Sequence, residues 1–151
     1  MNTRIKEIEV ALSYPLRHDL LRKGKPINSC YLDGDKNLET IHIGAYISKE
    51  LVGIASAFLK PCPQYDDVKG VQLRAIAVKS KFQRKGIATK LINHILEIIK
   101  IKLNPDCVWL NSRILANQLY LTNGFKPIGK PFKIESIGVH QRFIKMIVDE
   151  N

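Results

Sequence analysis

The chain has 151 residues, 45% of them hydrophobic and 25% charged, which suits one domain with a sizeable core and excludes a disordered chain. Lys and Arg number 24 against 14 Asp and Glu, a formal charge of +10, so the overall field favours phosphates, nucleic acid or acidic surfaces without choosing among them. Cys30, Cys62 and Cys107 are odd in number, far apart and without a C-x-x-C pair, so neither a disulfide framework nor a zinc site is signalled and no metal is expected. "MNTRIKEIEVALSYPL" never gathers the apolar run of a signal peptide, and no stretch approaches the ~20 apolar residues of a membrane span; the expectation is a cytoplasmic protein away from the membrane.

In chain order, Ile5, Ile8, Leu12, Leu16, Leu20 and Leu21 recur near helical spacing, with Pro15 ending or kinking the helix into two short pieces. "TIHIGAYIS" and "LVGIASAFLK" are β-rich runs joined around Lys49 and Glu50, which predicts a hairpin. The polar segments "DGDKN" and "PCPQYDD" read as surface loops. "VQLRAIAV" is short and apolar on both faces, as a strand in the middle of a sheet is. Ile87, Leu91, Ile95 and Ile98, with Ile92 and Ile99 beside them, form one broad stripe and predict a helix from about Gly86 to Lys102, halted by Asn104 and Pro105. "CVWLNS" is a further strand, "ILANQLYLTN" a helix stopped by Gly124, and "FKPIGKPF" and "HQRFIKMIV" are closing strands. The order predicts a mixed α/β domain over residues 1–151 with one central sheet.

"FQRKGIATKL" falls between the predicted central strand and the first turn of the long helix, where initial N–H groups lack intrahelical partners and the macrodipole is positive. Gly86 admits a ligand close to the backbone, Ala88 keeps the next turn slim, and Gln83, Arg84 and Lys85 can donate to phosphate oxygens. A basic helix start with no ligand is the plain alternative. Neither G-x-x-x-x-G-K-[ST] nor G-x-G-x-x-G is present.

"QLRAIAVKSKFQRKGIATKLI" resembles the central motif of the GNAT superfamily of acyl-CoA-dependent N-acyltransferases, whose pyrophosphate loop [Q/R]-x-x-G-x-[G/A] is matched by Gln83, Gly86 and Ala88. "ANQLYLTNGFKPIG" resembles that superfamily's A-x-x-x-Y-x-x-x-G-F segment, with Ala116, Tyr120, Gly124 and Phe125 in register. More loosely, "PLRHDLL", "LDGDKNLETIHIGAY" and "IGVH" resemble its ElaA-like branch. The resemblance implies a mixed sheet flanked by helices, with two central strands splayed apart. It also implies acetyl-CoA as cosubstrate, its pantetheine laid along the backbone of Ile76, Ala77 and Val78. The pyrophosphate would rest on N–H groups from Arg84 through Lys85, Gly86, Ile87 and Ala88 to Thr89, with Lys81 or Lys90 adding charge. Asn111 and Asn117 would be further cofactor contacts; the superfamily's usual Asn, seven residues before its Tyr, is Arg113 here.

The implied reaction moves an acetyl group to a primary amine, and it needs a neutral amine, an oxyanion donor and a proton for the thiolate. By position Tyr120 would be the acid, although a tyrosine there also packs on Phe125. A backbone N–H near Val78 would hold the oxyanion. For the base, "QLRAIAV" offers no carboxylate, which leaves His140 and His42 as candidates facing the acceptor, or as ordinary strand histidines. Arg17 and Arg74 could bind an acidic group of the acceptor or simply form ion pairs. A small-molecule amine and a monomer or homodimer are the expected partners. A non-catalytic acyl-CoA-binding module is the alternative. A nucleic-acid-binding domain is a further one, weakened by only 7% aromatic residues and no RNA- or DNA-binding signature.

Overall fold

The structure, a computed structural model, describes residues 2–135 and 137–147. Its strands are β1 (Thr3–Glu7), β2 (Ile41–Ile47), β3 (Glu50–Leu59), β4 (Gly70–Val78), β5 (Cys107–Arg113), β6 (Lys126–Ile134) and β7 (Gly138–Met146). Its α-helices are α1 (Val10–Leu21), α2 (Ile87–Lys102) and α3 (Asn117–Thr122). The strands make one sheet in the order β1-β2-β3-β4-β5-β7-β6, flanked by the helices, so the expected mixed α/β architecture is the observed one.

The predicted N-terminal helix pieces are corrected. Thr3–Glu7 is a strand paired antiparallel with β2, from Thr3↔Ile47 to Glu7↔Ile43. The three-residue step from Ile5 to Ile8 fits a helix face, but Ile8 lies beyond the strand and leaves Ile5 as its one apolar residue. Pairing along β2 decides it, with Ile5 packed on the core and Arg4 and Lys6 exposed. The helix that follows runs unbroken through Pro15, because Pro15 and the residue four before it, Ala11, both lie on the exposed side, where water can take the carbonyl left without an N–H.

The hairpin forms as expected, turning at Ser48, whose φ of 54° lies in the left-handed region. The stripe on α2 buries Ile87, Leu91, Ile92, Ile95, Leu96 and Ile99 against β2, β3 and β4. Each such side chain stabilises the fold by roughly 1.5–3 kcal/mol relative to exposure. All three cysteines are buried free thiols, Cys62 and Cys30 within segments that are otherwise loop.

β4 carries the two features that position the site. It pairs parallel with β5 over only three rungs, Gly70↔Cys107, Val71↔Val108 and Gln72↔Trp109, after which the strands part. β5 continues instead against β7, as far as Arg113↔His140. On its other edge β4 passes from Ser56↔Arg74 to Ile54↔Ala77, so Ala75 and Ile76 face the single residue Ala55, a bulge with Ala75 at φ 55°. A bulge bends its strand and re-aims it. The result is a fork at the carboxyl ends of the two parallel strands, the place where open α/β sheets accept ligands.

Candidate active site

The fork opens into a cleft of about 250 Å³. One wall is the edge of β4, where Gln72, Leu73, Arg74, Ala75 and Ile76 all line the space in succession. The facing wall is β5 from Leu110 to Arg113, with Ala116 and Tyr120 beyond it. The end of α1 and the Ser29–Leu32 segment close one side, and Ile134, Ile137 and His140 close another.

Tyr120 is buried and lines this cleft, its ring edge-on to Phe125 at 6.0 Å and also 6.0 Å from Phe143. Packing on Phe125 and facing the cleft are thus compatible. Burial pushes its phenol up to about 12, and no described residue hydrogen-bonds the hydroxyl. His140, also buried, stands on β7 with Phe132 stacked at 6.0 Å. Its Nδ1 is 2.9 Å from the Gly138 carbonyl, which can only accept, so Nδ1 carries a proton and any lone pair the neutral ring offers is on Nε2.

Arg74 lines the cleft, half-buried, over the Phe58 ring at 6.0 Å. Burial first, then repulsion from Arg22 and Arg17, lowers its pKa, against the opposing pull of Asp35 and Asp33. Arg17 reaches the cleft wall with its guanidinium already committed. It donates to both Asp35 oxygens at 2.8 and 3.0 Å, to the Cys30 carbonyl at 2.9 Å and to Ser56 Oγ at 3.1 Å. His42 does not line the cleft. Its Nε2 donates to the Asp35 carbonyl at 2.8 Å and its Nδ1 accepts from Ser56 Oγ at 2.7 Å; burial lowers its pKa and so favours this neutral form. Asp35, inside the presumed surface loop, is therefore a buried anchor joining α1, β2 and β3.

The loop from Gln83 to Thr89 sits outside the cleft lining, just past β4. Gln83 Nε2 donates to the Val78 carbonyl at 2.9 Å, tying the loop to the strand. Arg84 (φ 62°) and Gly86 (φ 81°) are both left-handed, and a Cβ on Gly86 would meet nothing within 4 Å. Ile87 is buried and anchors the first turn, whereas Arg84, Lys85 and Gly86 are exposed. The first loop-to-helix bond is Lys90 N–H to the Gly86 carbonyl at 3.1 Å, and no described acceptor takes the N–H groups from Arg84 to Thr89. Such a run of free N–H groups with adjacent cations fits an anionic diphosphate. Ile76 faces the cleft, while Ala77 and Val78 pair with Ile54 and Gly53 of β3. Asn111 lines the cleft with Oδ1 accepting from Arg142 Nε at 2.9 Å. Asn117, at the start of α3, is not in that lining; its Oδ1 is buried without a partner among the described residues.

The sequence profile of the acetyltransferase (GNAT) family matches residues 9–125. The chain belongs to that family. It is accordingly an acetyltransferase, and the mixed sheet flanked by helices is the architecture expected from the resemblance. A Bacillus subtilis (strain 168) protein described as an uncharacterized N-acetyltransferase, YitI, is 29% identical over 136 residues, 90% of this chain and 91% of that one. The fold is that of Escherichia coli ElaA, with a TM-score of 0.79 at 16% identity over 95% of this chain and 99% of that one. An aminoglycoside 6'-N-acetyltransferase complexed with coenzyme A superposes with a TM-score of 0.73 at 19% identity, over 98% and 99% of the two chains.

Sequence reading missed Arg22, Gln72 and Ser112 in the lining. No local motif marks them. Gln72 alone carried a signal, as a polar residue at the start of an otherwise apolar central strand.

Proposed function

We propose that the acetyltransferase moves the acetyl group of acetyl-CoA to the primary amine of a small molecule. The observation that carries this reading is the fork that leaves β4 without β5 beyond Gln72, followed in the chain by the run of unpartnered N–H groups at Arg84–Thr89. When bound, acetyl-CoA supplies a thioester: a C–N bond forms, the C–S bond breaks, the sulfur ends as a thiol and one proton leaves from the amine. Relatives of the same fold, one solved with coenzyme A, support the cosubstrate.

In this reading the loop N–H groups and the Arg84 and Lys85 side chains hold the diphosphate, and the unpaired edge at Ile76 lies along the pantetheine arm. The Nε2 lone pair of His140 takes the amine proton, its ring held by the Gly138 carbonyl and Phe132. The Tyr120 hydroxyl donates toward the sulfur. With its pKa at about 12, the phenol stays protonated but gives up its proton reluctantly, so its role is closer to a hydrogen-bond donor than to a full acid. Asn111 and Ser112 line the same wall of the fork. The free buried thiols suit a cytoplasmic, reducing location.

Calorimetric titration with acetyl-CoA, followed by a free-thiol assay across a panel of amines, tests the proposal. Heat of binding and amine-dependent thiol release are expected. Neither binding nor protection against melting would refute it, and binding with no turnover by any amine would favour the acyl-CoA-binding module instead.

A further inference from the structure

The cleft has a charge pattern that acetyl transfer itself does not require. Among the described residues that line it are Arg17, Arg22, Arg74 and Arg113, and no aspartate or glutamate. Arg17 is neutralised by Asp35 behind the wall, and the exposed Arg113 turns back to the Leu21 carbonyl at 3.3 Å. Arg22 and Arg74 have no ion-pair partner among the described residues. They approach from different elements, the end of α1 and the edge of β4, and the positive charges of Arg22 and Arg17 act on Arg74, an effect that Asp35 and Asp33 offset only in part. An anion entering between the Arg22 and Arg74 guanidiniums, both half-buried and neither in an ion pair among the described residues, is favoured.

Gln72 gives a second, independent pointer. It is 6% exposed, lines the cleft beside Arg74, and its Oε1 is buried with no hydrogen-bond partner among the described residues. A buried acceptor without a donor calls for an explanation, and a guest in the cleft would supply the donor. These groups lie away from the Arg84–Thr89 loop, so they are not needed for the cosubstrate's diphosphate.

On the acetyltransferase reading above, we propose that the acceptor is a small amine that also bears an anionic group, a carboxylate or a phosphate. Arg22 and Arg74 hold that group, and Gln72 Oε1 accepts a hydrogen bond from an N–H or O–H of the same molecule. Polycationic amines are disfavoured by the same charges.

The experiment compares matched pairs of acceptors with the full chain: an amino acid against its decarboxylated amine, and an amino-sugar phosphate against its parent amino sugar. The acidic member of at least one pair is expected to have kcat/KM higher by about tenfold or more, as charge-assisted bidentate recognition gives. Which pair responds separates carboxylate from phosphate. Arg22→Gln and Arg74→Gln should shrink that ratio through acceptor KM and leave acetyl-CoA affinity, read by calorimetry, unchanged. Equal or better turnover of the non-acidic members, with acetyl-CoA bound normally, overturns the inference alone. So does a loss of acetyl-CoA affinity in both variants. Absence of acetyl-CoA binding to the unaltered protein would instead sink the acetyltransferase reading. The wild-type pair comparison stands even where a variant fails to fold.

Discussion

Arg17→Met tests whether the buried arginine is an anchor or a substrate contact. Arg17 is 2% exposed and gives two N–H groups to Asp35, one to the Cys30 carbonyl and one to Ser56 Oγ. Methionine keeps the apolar stem but strands the Asp35 carboxylate, 7% exposed, with the Leu32 N–H at 2.8 Å and the neutral His42 ring 4.0 Å away. Removing one partner of a buried pair costs about 3–5 kcal/mol. Against a total stability of about 5–15 kcal/mol, that is a large share. At roughly 2–4 °C per kcal/mol for a chain of this size, the melting point should fall by about 10 °C. The double variant Arg17→Met/Asp35→Leu removes both charges and should recover most of that loss. Urea unfolding followed by circular dichroism measures both. A single variant that loses less than about 1 kcal/mol, the range of an exposed pair, would refute the argument. A stable Arg17→Met protein with a raised acceptor KM would make Arg17 a binding residue after all.

Gly86→Glu should abolish acetyl-CoA binding in calorimetry while the fold survives, because a side chain there meets no protein atom and only the left-handed φ of 81° adds about 1–2 kcal/mol of strain; Gly86→Ala controls for that strain. Tyr120→Phe should lower kcat by about 10²-fold, the low end for proton-transfer groups, with acetyl-CoA affinity intact; an unchanged rate with every acceptor rejects its role. The same tyrosine, raised from 10 to about 12 by burial, is protonated in the native state while the unfolded chain has begun to ionise. Stability should therefore fall as pH rises from 10 to about 12, and a Tyr120→Phe melting curve should lack that component. His42 works in the opposite direction. Its folded pKa lies below the ordinary 6.5, so the unfolded state takes its proton first and stability is lost as pH falls below 6.5. His42→Gln should flatten that acid limb in melting points measured against pH, and an unaltered limb would count against the neutral ring.

The parts of the protein that sequence made legible are those whose cause is local. The stripe of α2 needs only its own spacing, and the loop before it is one short run, so the helix began where expected. Local signal failed at the N-terminus, where the step from Ile5 to Ile8 mimics a helix face and the partner that decides, β2, lies some forty residues away. It failed equally for Asp35. "DGDKN" has the composition of a turn, and only the arrival of Arg17, Ser56 and His42 from other elements makes its second aspartate a buried anchor. The acceptor wall follows the same logic. Arg22, Gln72 and Ser112 belong to three separate segments, and nothing in any one of them announces the others.

In the proposed reading, the fork lets one strand serve both substrates. In a regular strand successive side chains point to opposite faces, so at most alternate residues can line a cavity on one face. Here Gln72 through Ile76 line the cleft without a gap. That is possible because the cavity lies against the edge of β4, from which β5 departs after Gln72, and because the bulge at Ala75 breaks the alternation. An edge presents unpaired backbone groups, which an extended amide-bearing arm can take up as a neighbouring strand would. Just before the bulge, Gln72 and Arg74 line the same cleft as Arg22. In the proposed reading, the irregularity that frees backbone for the cosubstrate lies next to the polar side chains that would meet the acceptor, around the residue with φ 55°.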